Sequence, residues 1–146
     1  MEADPGGEER ALRILREAWG KWKAGSRIRD AFDRVVDNLT RSTVLRDDQS
    51  FLKFHTCQVD TVRTPTDEPD SRREVKYVPT EELHLAIQRL VADAHVITPD
   101  ELSMRIARLF GWQRRGPDIQ AALDDAVYAL VETGALTAEG DHLAIR

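Results

Sequence analysis

The stretch that decides the fold is Phe110-Gly-Trp-Gln-Arg-Arg-Gly-Pro-Asp-Ile-Gln-Ala-Ala-Leu123. The chain already holds its counterpart ninety-one positions earlier, as Trp19-Gly-Lys-Trp-Lys-Ala-Gly-Ser-Arg-Ile-Arg-Asp-Ala-Phe32. An aromatic residue precedes Gly20 and Gly111, a basic residue stands at Lys23 and Arg114, and a second glycine follows at Gly25 and Gly116. Ile28 then falls on Ile119, Val36 on Val127 and Leu39 on Leu130. Beyond them Leu45 falls on Leu136, Leu52 on Leu143 and Phe54 on Ile145, without a gap. The matches sit on glycines and apolar positions, where a fold constrains a sequence most, and they read as a duplicated module.

The second copy spells out its elements. Thr98 is placed to cap a helix, Pro99 suits its first turn, and Asp100 and Glu101 suit its positive end. Leu102, Ile106, Leu109 and Phe110 recur at helical spacing until Gly111 ends the run. Pro117 opens another helix with Ile119, Leu123, Ala126, Val127 and Leu130 on one face, and Gly134 stops it. Ala135-Leu-Thr and His142-Leu-Ala-Ile flank Glu139-Gly-Asp141 as a β-hairpin. Upstream, Thr80 to Ala94 carries Leu83, Leu85, Ile87, Leu90 and Val91 as one more amphipathic helix. Helix, helix, turn, helix, hairpin is the order of a winged helix.

The first copy repeats this from its second helix onward. Glu8 to Trp19 turns Ala11, Leu12, Leu15 and Ala18 inward, and Ser26 is placed to cap a helix from Arg27 to about Thr40. Thr43–Arg46 with Phe51–Phe54 forms the hairpin. The expected fold is mostly α with small β-hairpins, a tandem winged helix whose first copy lacks its first helix. The expected divisions are a flexible tail at 1–7, an incomplete first module at 8–56, a linker at 57–79 and a second module at 80–146. The linker holds Thr64-Pro-Thr-Asp-Glu-Pro-Asp-Ser71, polar and helix-breaking, and Val75-Lys-Tyr-Val78 reads as a short strand. The missing helix leaves part of a core open, to be covered by further domains of a longer chain or by another subunit.

The 146 residues are 41% hydrophobic and 32% charged with only 6% aromatics, which favours packed aliphatic helices over a large sandwich. No apolar run approaches the ~18–20 residues of a membrane span. The start, Met1-Glu-Ala-Asp-Pro-Gly-Gly, lacks the basic and apolar regions of a signal peptide. Cys57 is the only cysteine, so no internal disulfide forms. A cytoplasmic protein without a membrane partner is expected.

The net charge of −5 argues against indiscriminate nucleic-acid binding, yet it hides a split. Arg10 to Arg46 holds ten Lys and Arg against four Asp and Glu, whereas Thr64 to Arg146 holds nine against fifteen. A polyanion should prefer the first half.

Three phrases resemble a known family: Ala18-Trp-Gly-Lys-Trp-Lys-Ala-Gly-Ser-Arg-Ile-Arg29, Tyr77-Val-Pro-Thr-Glu-Glu-Leu83 and Glu101-Leu-Ser-Met-Arg-Ile-Ala-Arg-Leu-Phe-Gly-Trp112. They are similar to a domain of unknown function near the C-terminal end of large bacterial superfamily-I DNA helicases, which often carry a restriction-endonuclease-like nuclease domain. The resemblance implies a winged-helix accessory region in a helicase or nuclease system, with the ATPase motor elsewhere and no catalytic residue here. Family members commonly have a basic residue where this chain has Asp118, a departure that counts against DNA binding by the second module.

The residues support that reading. No Gly-x-x-x-x-Gly-Lys-Ser/Thr loop is present, so the chain should not hydrolyse ATP and needs no cofactor. His55-x-Cys57 is the only close pair of metal-ligand type, and two ligands make a poor zinc site. His84, His95 and His142 are scattered. The acid pairs Asp47-Asp48 and Asp124-Asp125 point apart on a helix and lack the partners of a nuclease site. No metal site and no enzyme activity are expected of this chain.

For DNA binding, the third helix of the first copy carries Arg27, Arg29, Arg34 and Arg41, preceded by Lys21 and Lys23. Lys and Arg neutralise phosphates and Arg can also read guanine, and Arg27, Arg34 and Arg41 recur every seven residues, hence along one stripe. The competing reading pairs Asp30 with Arg34 and Asp37 with Arg41 at i,i+4 on a solvated face. Lys21 and Lys23 have no such acids nearby. In the second copy the same stripe becomes Asp118, Asp125 and Glu132, leaving only Gln113, Arg114 and Arg115 in the turn to meet a backbone. The opposite stripes also suit each other, so the alternative role is protein–protein interaction or a homodimer using the helix faces. Trp22 and Trp112 beside the turns are expected to pack rather than to stack on bases.

Overall fold

The computed structural model describes residues 7–18, 20, 25–41, 44–46, 51–54, 58–68 and 71–146. Two compact units divide the chain, Met1–Gln58 and Val59–Arg146. The protein is mostly helical, with one two-stranded and one three-stranded antiparallel sheet. Among the described residues no helix is long and apolar enough to cross a membrane.

The first unit contains α1 (Gly7–Ala18), α2 (Ser26–Thr40) and the strands β1 (Val44–Arg46) and β2 (Leu52–Phe54). The second contains α3 (Thr80–Ala94), β3 (Val96–Ile97), α4 (Pro99–Leu109), α5 (Pro117–Glu132), β4 (Leu136–Glu139) and β5 (His142–Ile145). Moving the first unit by ninety-one positions lays α1 on α4, α2 on α5 and each hairpin strand on its counterpart. The backbone agrees in detail. Gly20 and Gly111 adopt left-handed φ of 66° and 71°, a conformation that glycine takes without penalty. Their amides donate to the carbonyls of Glu17 and Arg108, which are also ninety-one apart. Gly25 and Gly116 stand at the N-caps of α2 and α5 with φ, ψ of −63°, 163° and −73°, 168°.

Several expectations need correcting. Ser26 is the first helical residue rather than the cap, because Gly25 takes the extended cap position and no side chain closes it. Ala18 is exposed at the end of α1 instead of facing inward. Val75–Tyr77 is a single 3-10 turn, not a strand, since the Tyr77 amide finds the Glu74 carbonyl and the Val78 amide finds that of Val75. The hairpins differ in register by one step: Leu45 pairs with Lys53, whereas Leu136 pairs with Ile145 and Thr137 with Ala144. In the second unit the pairing runs up to Glu139 and His142, on either side of Gly140 and Asp141. Thr43, the Met1–Gly6 end of the tail and His55–Cys57 lie outside the described residues.

In the second unit α3 packs against α4 and α5, and the sheet, ordered β3-β5-β4, lies on the same core. Leu83, Ile87 and Val91 of α3 meet Leu102, Ile106 and Phe110 from α4 and its end, and Leu123, Ala126 and Leu130 of α5. Ile97, Leu136 and Leu143 close the sheet side, each 3% exposed or less. Sequence reading missed β3, because two residues are too few to show alternation.

Residues 59–79, expected to link two modules, belong to the second unit, and a buried carboxylate holds them there. Glu82 of α3 is 1% exposed and Arg73 is 5% exposed. The Arg73 guanidinium donates to both Glu82 oxygens at 2.6 and 3.0 Å. Arg63 adds its backbone amide at 2.8 Å and its own guanidinium at 2.9 Å. Arg73 also donates to the Arg63 carbonyl at 2.9 Å and accepts, at its own carbonyl, the Trp112 indole N–H at 2.7 Å. The segment is thereby drawn over the turn between α4 and α5. At Gly111 a Cβ would stand 2.9 Å from Pro65 Cγ and 3.2 Å from Arg72 Nε, so close approach as well as φ demands glycine there.

Burial alone would raise the Glu82 carboxyl, but the hydrogen bonds from Arg73 and Arg63 overcome it and hold the group below its ordinary 4.5. Removing one side of a buried pair strands the other, at about 3–5 kcal/mol. Glu82→Ala is expected to destabilise the second unit by about that amount in urea denaturation, and to expose residues 59–79 to limited proteolysis.

Candidate nucleic-acid interface

On α2 and at its C-cap every arginine of the expected site is exposed: Arg27, Arg29, Arg34 and, at the cap, Arg41. The 3.6-residue repeat puts Arg27, Arg34 and Arg41 on one narrow stripe, with Asp30 and Asp37 beside it. Among the described residues none of these arginines makes an ion pair. Arg34 Nε turns instead to the backbone carbonyl of Asp30 at 3.1 Å. The i,i+4 pairings of Asp30 with Arg34 and Asp37 with Arg41 therefore do not form as contact ion pairs among the described residues. Lys21 and Lys23 lie outside the described residues, as do Trp19 and Trp22.

On α5 the corresponding Asp118, Asp125 and Glu132 are also exposed, and Asp124 accepts a hydrogen bond from Gln120 at 2.8 Å. This surface repels phosphate. In the turn before it Gln113, Arg114 and Arg115 are exposed, but Arg115 is held by Asp100 at 2.7 Å. Arg114 borders a cavity of about 430 Å³ with Arg72, Trp112, Gly116 and Asp118. Trp112 is half-buried and stacks on Phe110, with ring centroids 4.9 Å apart and planes 20° apart. The stack and the bond to Arg73 commit its ring to packing.

Arg72 was not among the expected contacts, although it is exposed and close to the turn. The doublet Arg72-Arg73 was the signal. It lay in a stretch read as linker, and only the buried Glu82 separates the structural Arg73 from its exposed neighbour.

The remaining candidate chemistry is sparse. Among the described residues no group of three His, Cys, Asp or Glu side chains could hold a metal ion. A second cavity of about 340 Å³ between α4, α5 and the hairpin is lined mainly by Pro99, Leu102, Leu123, Val127 and Leu143, with Ser103, Gln120 and Tyr128 on its polar side. Ser103 Oγ is 3.5 Å from Gln120 Oε1, which is no base. His95 is exposed, with Nδ1 at 3.0 Å from the Ala92 carbonyl. His84 is half-buried, and its Nε2 is buried without a hydrogen-bond partner among the described residues. Comparison with known families, curated proteins and solved structures gave no match.

Burial pushes the His84 imidazole below its ordinary 6.5, against an opposing pull from Glu81. The folded unit therefore refuses a proton that the unfolded chain accepts, and stability falls as pH drops below about 6.5. Glu82 extends the loss at pH below 4.5. Thermal midpoints followed by circular dichroism should decline from pH 7 to pH 5 in the natural chain. His84→Gln should flatten the part of that decline above pH 5.

Proposed function

We propose that both units are winged-helix modules, the first seen without its leading helix, and that the chain is a noncatalytic part that positions DNA for a bacterial cytoplasmic helicase or nuclease. In the second unit the order α3, β3, α4, turn, α5, β4, β5 supports the fold, with the three-stranded sheet formed by the hairpin and β3. The resemblance of the Trp19, Tyr77 and Phe110 phrases to helicase-associated domains supports the setting. DNA contact falls to the first unit. The observation carrying it is that Arg27, Arg34 and Arg41 share one exposed stripe of α2 and make no ion pair among the described residues. Arg29 is also exposed on this helix. A protein-interaction role is favoured by a separate observation, the exposure of Val35 and Leu39 on α2 at 56% and 42%.

Duplex DNA at about 50 mM salt should bind, with affinity falling as salt rises because counterions are released on binding. Reversing Arg27, Arg34 and Arg41 to Glu should weaken binding at least tenfold and flatten the log–log salt dependence by about 3, roughly 0.9 for each lost contact. Asp118→Arg with Asp125→Arg should leave the first unit's contacts in place and not weaken binding. Fluorescence anisotropy with a labelled duplex measures all three. Unchanged affinity on charge reversal would sink the DNA reading.

A further inference from the structure

We propose that the second unit binds a small organic ammonium ion with an apolar body in the cavity between α4, α5 and the β4–β5 hairpin. The cavity measures about 340 Å³. That lies within the range of small-molecule sites, which are mostly apolar with a few polar groups that converge. Its apolar wall comes from three elements: Leu102 of α4, Leu123, Val127 and Val131 of α5, and Leu143 of β5. On α5, Gln120, Asp124, Val127 and Val131 are three or four residues apart and share one face. Ser103 of α4 meets that face at Gln120, so the polar groups gather in one corner of the cavity.

That corner is short of donors. Ser103 is 3% exposed, yet its hydroxyl lies 3.5 Å from Gln120 Oε1, beyond the roughly 2.5–3.0 Å of a well-made O–H···O bond. A buried hydroxyl so poorly bonded costs stability until a better partner arrives. The Gln120 amide nitrogen is engaged by Asp124 Oδ1 at 2.8 Å. The Gln120 carbonyl oxygen and the carboxylate thus remain as acceptors in the lining. No lysine or arginine lines the cavity, and among the described residues Asp124 makes no ion pair. A cation that donates hydrogen bonds fits such a corner, whereas a carboxylate or phosphate is repelled. The wall asks for an aliphatic chain or a single aromatic ring behind the charge. Matched positions set the corner apart from the first unit, since Ser103 and Gln120 answer to Leu12 and Arg29. Leu12 is 7% exposed and Arg29 is exposed. A bulky side chain and a cation therefore stand where the second unit has a hydroxyl and an amide. The inference does not rest on the DNA reading, which places its contacts on the first unit.

The test uses the full chain and three probes of one shape: phenethylamine, cationic at neutral pH, phenethyl alcohol, which is uncharged, and hydrocinnamate, an anion. Methyl NMR signals of Val127, Val131 and Leu143 report binding at the wall. Phenethylamine should shift them saturably at millimolar concentration and bind at least fivefold tighter than the alcohol, and hydrocinnamate should not bind. Asp124→Asn should weaken the amine at least fivefold and leave the alcohol within twofold. Ser103→Leu, which carries the first unit's matched side chain into the cavity, should abolish the saturable shifts from both. Asp125→Asn, an exposed acid outside the lining, should change nothing. Asp124→Asn and Asp125→Asn alter exposed residues and should keep the natural circular dichroism spectrum. If Ser103→Leu fails to fold, the amine's preference over the alcohol and its loss in Asp124→Asn decide the matter. Equal binding of amine and anion, amine binding indifferent to Asp124→Asn, or no saturable shift of these methyls would overturn the proposal.

Discussion

A carboxylate taken out of water must be paid for by donors that meet it from every side, and Glu82 shows how much structure one such demand can organise. Its two oxygens take both guanidinium arms of Arg73 together with the amide and guanidinium of Arg63. Those donors come from a polar, proline-containing stretch that has no core of its own. Because Arg73 in turn receives the Trp112 indole and lies over the Phe110 ring, the same network reaches the turn between α4 and α5. The path of residues 59–79 follows from this pairing and from the burial of Val62 and Val78 against the core, rather than from any propensity of the segment. A buried pair of this kind is weak evidence for net stability, since well-packed apolar residues can do as well. Its effect here is geometric: it selects one path for the segment across the second unit.

The two units, aligned ninety-one positions apart, share some features and differ in others. Both have a left-handed glycine after the first of the matched helices and an extended glycine before the next, and a left-handed φ is one that glycine takes without penalty. Surface charge is under no such restraint, and the outer stripe carries Arg27, Arg34 and Arg41 in one unit and Asp118, Asp125 and Glu132 in the other. Matched inner positions differ too: Arg16 stands where the other unit has Ala107, and Val35, 56% exposed, where it has Ala126, 3% exposed.

Much of the fold was legible because its signals are local. Thr98 does accept the amide of Glu101 at 3.3 Å, Pro99 and Pro117 do open helices, and Gly111 and Gly134 do end them with positive φ. Leu102, Ile106, Leu123 and Leu130 are buried as their spacing requires. The candidate site was legible only as residue types. Arginines at seven-residue spacing mark a stripe, but whether neighbouring aspartates neutralise it depends on rotamers, and Arg34 prefers a carbonyl to a carboxylate. Likewise the ring of Trp112 gave no sign in sequence of the Phe110 stack and the Arg73 carbonyl that occupy it.

By itself, the amino-acid sequence determined the helices, their ends, the hairpins and the repeat, since capping, glycine conformation and apolar periodicity act between residues a few positions apart. Tertiary structure alone decided that Glu82 is buried, that Arg63 and Arg73 are its partners, and that β3 joins β5. It also decided that Val35 stays exposed where Ala126 is covered. Each of these depends on groups brought together from distant parts of the chain, or on a neighbour that one unit has and the other lacks, and no local pattern encodes such a meeting.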